Sequence, residues 1–430
     1  MGLAKGLVIG APRSGSGKTV ITLGLLAALR QRGVAVAPAK TGPDYIDPVF
    51  LGRAAGRDAV NLDPWSMAPQ RLKHLATQQA GDGVLIVEGV MGLFDASADG
   101  TGSTADLAEL LDVPVVLVVD AERQSQSVAP LVAGFANWRV GVRVAGVILN
   151  RVASTKHERM LVEALGPTGI ACLGAIPRKP ALALPERHLG LVLPDEIDGF
   201  EPFLATAAEA VGDYVDLDAL LALASPLAEG AAEPPPLAPL GQRIAIARDA
   251  AFAFLYPHLL DGWREQGAEL SFFSPLADEA PAPNTDAIYL PGGYPELHGA
   301  TLAAAARFKA GLLAARDRNA LIYGECGGFM VLGELLVDKA GMPHEMAGLL
   351  PVITQIDRPK RTLGYRKLTQ TGGLPWPVQL NGHEFHYSST KQSRLPPLFA
   401  ASDARGEVLP PMGASIGRVM GSYAHVVDAA

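Results

Sequence analysis

Two glycine-rich turns in this sequence carry side chains able to do phosphoryl or covalent chemistry. The first is Gly10-Ala11-Pro12-Arg13-Ser14-Gly15-Ser16-Gly17-Lys18-Thr19, set between the apolar run Leu7-Val8-Ile9 and an amphipathic stretch, Val20 to Arg30, that ends at Gly33. Glycines let successive backbone N–H groups curl around phosphate oxygens, and the helix that follows offers its positive end. Ser14, Gly15, Ser16, Gly17, Lys18 and Thr19 thus form a candidate triphosphate cradle, with Lys18 as a point charge and the Thr19 hydroxyl available to Mg²⁺. Pro12, five positions before Gly17, departs from the strict GxxxxGK[ST] form. The second turn is Gly324-Glu325-Cys326-Gly327-Gly328, preceded by the strand-like Leu321-Ile322-Tyr323 and followed by a helix signal. A cysteine at the tip of such an elbow is lifted out of the chain. The helix start is expected to favour its thiolate, and the N–H of Gly327 to face a developing oxyanion.

Acids and amides at other strand ends complete the two constellations. Val84-Leu85-Ile86-Val87 delivers Glu88 to the edge of a buried strand, and Val34 to Ala39 leads into Lys40-Thr41-Gly42-Pro43-Asp44-Tyr45-Ile46-Asp47-Pro48. Asp44 and Glu88 suit Mg²⁺, while Tyr45 and Asp47 suit the face that meets the phosphate acceptor. Asp47, ahead of Pro48, equally suits the N-cap of the next helix. Asn150, ending Gly146-Val147-Ile148-Leu149, is the candidate adenine contact or a turn residue. Around Cys326, the Gly293 of Pro291-Gly292-Gly293-Tyr294-Pro295-Glu296 is the second candidate oxyanion donor, or simply a turn. His425, in Gly421-Ser422-Tyr423-Ala424-His425, is the expected base, with His383 and His386 as competitors. The spacing of His383, Glu384 and His386 hints at metal ligation but lacks a further ligand. Cys172, in an apolar run, reads as a packed thiol.

The elements that must position these residues alternate along the chain. Gly6–Ile9, Val34–Ala39, Val84–Val87, Val115–Val119 and Gly146–Leu149 read as strands separated by helices, the pattern of a parallel sheet covered on both faces. Residues 224–240, ASPLAEGAAEPPPLAPL, lose all apolar periodicity and read as a linker. Beyond it the alternation resumes with Arg243–Ala247, Glu269–Phe273, Ala287–Leu290, Leu321–Tyr323 and a helix over Ala300–Arg316. Two α/β domains follow, residues 1–223 and 241–430.

Composition narrows the function classes. With 36 Lys plus Arg against 44 Asp plus Glu, a net charge of −8 and no long basic run, a nucleic-acid partner is not expected. No apolar run reaches the length of a membrane span, and the apolar run at the start is too short for a signal-peptide core, so a cytoplasmic protein is expected. Two cysteines in 430 residues make no disulfide framework.

Taken in order, SGSGKT, KTGPDYIDP, VEGVMGLFD and GVILNRV, then PGGYPE, GECGGFM, GYR, GHEFHYS and GSYAH, resemble the cobyrinate and hydrogenobyrinate a,c-diamide synthases over nearly the whole chain. The resemblance implies a dethiobiotin-synthetase-like P-loop domain followed by a class I, triad-type glutamine amidotransferase domain. It implies that the a and c acetates of a corrin polycarboxylate are amidated through acyl phosphates, with ATP, Mg²⁺ and ammonia released from glutamine. Gly15, Gly17, Lys18 and Thr19 would hold phosphates, Asp44 and Glu88 would join Thr19 at the metal, and Cys326 would be activated by His425. An enclosed ammonia route is expected, because ammonium at neutral pH is no nucleophile; a homodimer is one assembly left open. One departure stands out: class I amidotransferases carry a Glu two positions after the base, and here that position is Val427. The third triad member is therefore absent or supplied from elsewhere. Competing readings are a cobyric acid synthase acting on other corrin side chains, a dethiobiotin-type synthetase with an inert appendage, and a ParA/MinD-like ATP switch, which leaves Cys326 and His425 unexplained.

Overall fold

The computed structural model describes residues 4–183, 194, 197, 199–228, 234–356, 361–393 and 395–430. The chain divides into two compact units, Met1–Pro234 and Pro235–Ala430. In the first, β1 (Lys5–Gly10), β2 (Val36–Thr41), β3 (Val60–Leu62), β4 (Val84–Glu88), β5 (Val115–Asp120), β6 (Val144–Val152) and β7 (Ala171–Pro177) form a parallel sheet in the order β3-β2-β4-β1-β5-β6-β7. The short β8 (Ser225–Pro226) pairs antiparallel with Lys5 and Gly6. The central strands are near-continuous aliphatic runs because helices cover both faces; Leu7, Val8 and Ile9 are fully buried, as are Val115 to Val119. Helix α1 (Lys18–Gln31) leaves the phosphate turn and packs against the helix Phe200–Tyr214. The C-terminal ends of β1, β2, β4 and β6 deliver the phosphate turn, Lys40, Glu88 and Asn150 to one edge, where open parallel sheets gather ligands.

The second unit also starts from parallel strands. β9 (Arg243–Ala247), β10 (Glu269–Phe273), β11 (Ala287–Leu290) and β12 (Leu321–Glu325) join the late strands β21 and β22 in the order β10-β9-β11-β12-β22-β21. Here β22 (Val419–Ser422) pairs parallel to β12, and β21 (Ala414–Ile416) antiparallel to β22. One mixed and one antiparallel sheet complete the unit. One contains β13 (Leu335–Val337), β14 (Pro343–Glu345), β15 (Ile353–Gln355) and β18 (Ser389–Gln392); the other has the order β20-β19-β16-β17-β23. The second of these is built from β16 (Thr362–Gln370), β17 (Gln379–His386), β19 (Phe399–Ser402), β20 (Val408–Met412) and β23 (His425–Ala429).

These two sheets were not expected from the sequence. Their strands are mixed in burial, as in Thr362–Gln370, where exposed and buried positions interleave irregularly, and some partners are remote in sequence, as β16 and β19 are. The helix expected over Ala300–Arg316 is two helices, Gly299–Ala304 and Ala306–Asp317, broken at Ala305 where ψ turns to 78°. No proline or glycine announces that break. Residues 229–233 of the proline-rich stretch lie outside the described residues.

Candidate active sites

The phosphate turn is held open by a few specific bonds. Gly17 has φ of 88°, a left-handed conformation, and a Cβ there would stand 2.2 Å from the Asn150 side-chain nitrogen. Only glycine meets both conditions. Asn150, expected at the adenine, commits Nδ2 to the Ser16 carbonyl at 3.0 Å, and its Oδ1 accepts the N–H of Arg151 at 2.9 Å. The Ser16 hydroxyl donates to the Arg13 carbonyl at 3.0 Å. Lys18 is buried and reaches across to the Met91 carbonyl at 2.8 Å. Burial pushes its ammonium below the usual lysine range, partly offset by Glu88.

Thr19 and the strand-end acids meet around one cation. The Thr19 hydroxyl donates to Glu88 Oε1 at 2.7 Å, and the same oxygen lies 3.2 Å from Lys40 Nζ. Lys40 also pairs with Asp47 at 2.7 Å. Burial works against the charge on Lys40, but Asp47 and Glu88 outweigh it and hold the ammonium above its ordinary range. Glu88 Oε2 is buried with no hydrogen-bond partner, which leaves a hard oxygen donor facing inward. Burial, reinforced by Asp47, raises Asp44 to about 6. The capping alternative for Asp47 does not hold: Asp47 is inside α2 (Asp47–Ala55), and Asp44 Oδ1 accepts the N–H groups of Ile46 and Asp47 at 2.8 and 2.9 Å. Asp44 therefore shapes the entry to the helix, while Asp47 turns to Lys40. Tyr45 is buried beside them. Lys40, which sequence reasoning left without a role, is the buried cation of this cluster; its only sequence signal is a lysine ending a strand that is otherwise apolar.

At the other turn, β12 runs straight into Cys326, whose φ of 47° and ψ of −107° are strained for a non-glycine residue. Such strain persists only where the surroundings enforce it. The Cys326 N–H is tied to the Ser422 carbonyl at 2.8 Å, and a Cβ on Gly328 would stand 1.9 Å from the Leu290 carbonyl oxygen. The two candidate oxyanion donors lie on adjacent backbones: a Cβ built on Gly327 would lie 3.1 Å from the Gly293 nitrogen. In the resting state the Gly327 N–H points at the Cys326 sulfur. The expectation of a favoured thiolate is not met. Burial first, then Glu296, Glu325 and Glu384, push the thiol well above the usual cysteine range, and the helix that follows, Gly327–Leu332, is too short to reverse this.

The three histidines are separated by what holds them. His425 opens β23 opposite His383 on β17 and is fully buried. Burial, then His383 and His386, keep its imidazole far below the usual histidine range and so neutral. A Cβ at Gly292 would stand 2.3 Å from His425 Cε1, so the first glycine of the Gly292-Gly293 pair makes room for this ring. His386 has Nε2 on Glu384 Oε1 at 3.0 Å and Nδ1 on the Ser388 carbonyl at 2.9 Å, which leaves neither nitrogen for a thiol proton. Glu384 also accepts from Arg366 at 2.5 Å. Burial and Arg366 drive His383 down to about 3. Among the described residues no three His, Cys, Asp or Glu side chains are grouped to hold a metal. Cys172 is half-buried in β7, its sulfur 3.7 Å from the Gly174 carbonyl.

A phosphate-binding α/β unit followed by a unit with a strained cysteine elbow defines a glutamine-hydrolysing carbon–nitrogen ligase. Comparison with known families agrees: residues 7–192 match the CobQ/CobB/MinD/ParA nucleotide binding domain, and residues 243–429 match the CobB/CobQ-like glutamine amidotransferase domain. Over 429 residues the chain is 55% identical to the hydrogenobyrinate a,c-diamide synthase of Brucella abortus, covering 99% of this chain and 98% of that protein. Its identity is 52% to the protein of that name from a Sinorhizobium species, with 99% of both chains covered, and 48% to that of Rhodobacter capsulatus, with 98% of both covered. The chain belongs to the hydrogenobyrinate a,c-diamide synthase family. Among the described residues no helix is long and apolar enough to cross a membrane.

Proposed function

We propose that this chain amidates the a and c acetate carboxylates of hydrogenobyrinate or cobyrinate, with ATP and glutamine as co-substrates, in the formation of cobalamin. The observation that carries the reading is the near-full-length identity of 48–55% to hydrogenobyrinate a,c-diamide synthases, together with a distinct turn for each half-reaction. The first half-reaction answers a chemical problem: a carboxylate is a poor electrophile at neutral pH. A substrate carboxylate oxygen attacks the ATP γ-phosphorus, the bond to ADP breaks, and an acyl phosphate results. Ser14, Gly15, Ser16 and Gly17 supply backbone N–H groups to the phosphates, and Lys18 neutralises charge as it spreads over the transferred group. Thr19, Glu88 and Asp44 would hold Mg²⁺, a role that suits their hard oxygen donors and the unpartnered Glu88 Oε2. When bound, the ion screens the phosphate charge. Tyr45 and Asp47 meet the corrin carboxylate, and Asn150 reaches the adenine side with the amide hydrogen not committed to Ser16.

In the second half-reaction Cys326 transfers its proton to His425 and attacks the glutamine carboxamide. The Gly293 and Gly327 N–H groups receive the oxyanion. The C–N bond breaks as His425 returns the proton to the leaving amine, giving ammonia and a thioester that water hydrolyses to glutamate. Ammonia displaces phosphate from the acyl phosphate and forms the amide. Incubation with ATP, Mg²⁺, glutamine and either corrin acid, followed by mass spectrometry, tests the reading. Two carboxylate-to-carboxamide changes are expected; further changes on the same substrate would instead favour a cobyric acid synthase.

A further inference from the structure

The chain has Val427 where class I amidotransferases place the carboxylate that orients the base, yet a carboxylate does stand beside His425. It belongs to Glu325, the residue immediately before Cys326. β12 pairs with β11 so that Tyr323 lies opposite Tyr289, with the two rings stacked at 5.9 Å. Strand parity puts Glu325 on the same face as Tyr323. Its Oε2 accepts the Tyr289 hydroxyl at 2.7 Å; its Oε1 accepts the Tyr323 hydroxyl at 2.9 Å and the Val426 N–H at 3.1 Å. The His425 Nδ1 atom lies 3.8 Å from Oε2, with both side chains essentially out of solvent.

We propose that Glu325 is the positioning residue for His425, its Oε2 receiving the imidazole Nδ1–H so that Nε2 is the nitrogen presented to the Cys326 proton. Three donors from three places fix the carboxylate, and a fixed carboxylate selects one tautomer and one ring orientation. When the thiol proton moves to Nε2, Glu325 remains ionised and offsets the imidazolium charge. The other carboxylates of the unit are less suited. Glu384 is taken by Arg366 and His386, and Asp428, paired with Asn381 beyond the register shift in β23, has Oδ1 on the Ala429 N–H at 2.9 Å. Burial raises Glu325 to about 7, and the two phenols and the Val426 N–H counteract that rise. The groups facing the pair are therefore Tyr289 and Tyr323 around the carboxylate, and His383 and His386 around the imidazole.

The inference rests on Cys326 and His425 as nucleophile and base. Glu325→Gln keeps the size and one acceptor oxygen but removes the charge. Glutaminase kcat is expected to fall by about 10²-fold or more, with KM for glutamine little changed. The acid limb of the kcat/KM profile is expected to move to lower pH, because an imidazolium without its counter-charge gives up its proton more readily. Ammonia-dependent amidation, run on the first unit's residues, is expected to stay within about twofold and reports an intact fold. Glutaminase within about threefold of the unsubstituted enzyme and an unmoved acid limb would overturn the proposal. If Cys326→Ala retained glutaminase, the underlying assignment of nucleophile would fall instead. Should Glu325→Gln not fold, the ¹⁵N-histidine spectrum of the unsubstituted protein decides, with the His425 signal assigned by its loss in His425→Gln. The Nδ1–H tautomer is expected, and the Nε2–H tautomer overturns the proposal.

Discussion

In the first unit the buried Glu88 beside Lys18 meets a buried ammonium group, whereas in the second the carboxylate next to Cys326, Glu325, meets two phenols and lies beside the neutral imidazole of His425. Lys40 lies between Asp47 and Glu88, and Lys18 reaches across the turn. Around Cys326, Glu325 is held by two tyrosines, and His425 is kept uncharged by burial and its histidine neighbours. The difference follows the chemistry proposed for each. A site for polyanionic phosphate needs permanent charge fixed in place. A site that shuttles one proton between a thiol, an imidazole and a leaving amine works best when its groups begin near neutrality, because desolvated charge is costly to create and to move.

The largest expected effect breaks the comparison on one side only. Cys326→Ala should lower glutaminase and glutamine-dependent amidation by about 10⁴-fold or more while leaving amidation with added ammonia intact, measured as amide product by mass. Loss of both activities in a folded protein would count against the division of labour. Lys18→Ala removes a permanent charge, and synthesis from either nitrogen source should fall by about 10²–10³-fold; if ammonia-dependent synthesis persisted, Lys18 would lie outside the site. Lys40→Met leaves Asp47 and Glu88 without their common cation. By calorimetry the first unit should lose about 3 kcal/mol of stability, as when one partner of a buried pair is removed. An unchanged transition would show that solvent already compensates the two acids.

The sign of the pH dependence sharpens the other side. The Cys326 thiol is held above the ordinary cysteine range, so it is protonated throughout neutral pH and its thiolate fraction grows with pH. Alkylation by iodoacetamide without substrates should therefore rise about tenfold per pH unit between about pH 7 and 9. A rate already level at pH 7 would reveal a preformed thiolate. The smallest effect is at Asn150, whose bond to the Ser16 carbonyl braces the turn. Asn150→Ala should cost about 1 kcal/mol and raise KM for ATP about fivefold. An unchanged KM would mean that the turn keeps its shape without the amide.

Both turns were legible in the sequence because their function depends on local order: strand, glycines, reactive residue, helix. Gly17 and the glycines around Cys326 announce positions where backbone must pass close to other atoms, and the structure gives each a specific neighbour. Lys40 and Glu325 were not legible. Each is a charged residue at the end of an apolar strand, which by itself reads as a residue reaching solvent, and each acquires a decisive partner from a distant strand, Glu88 for Lys40, and Tyr289 and His425 for Glu325. The same holds for the two sheets from Leu335 onward, whose strands carry little periodicity of their own and are specified by pairings such as β17 with β23.

The sequence alone determined the parallel strands, the two reactive turns and the residues mounted on them, since aliphatic runs, glycine positions and helix starts are set by neighbours in the chain. The tertiary structure alone decided the charge state of what those turns carry. Burial and non-local neighbours made the thiol and the imidazole neutral, tied Lys40 to two acids, and brought Glu325 beside His425, because electrostatic energy depends on distance through space and on water exclusion rather than on separation along the chain.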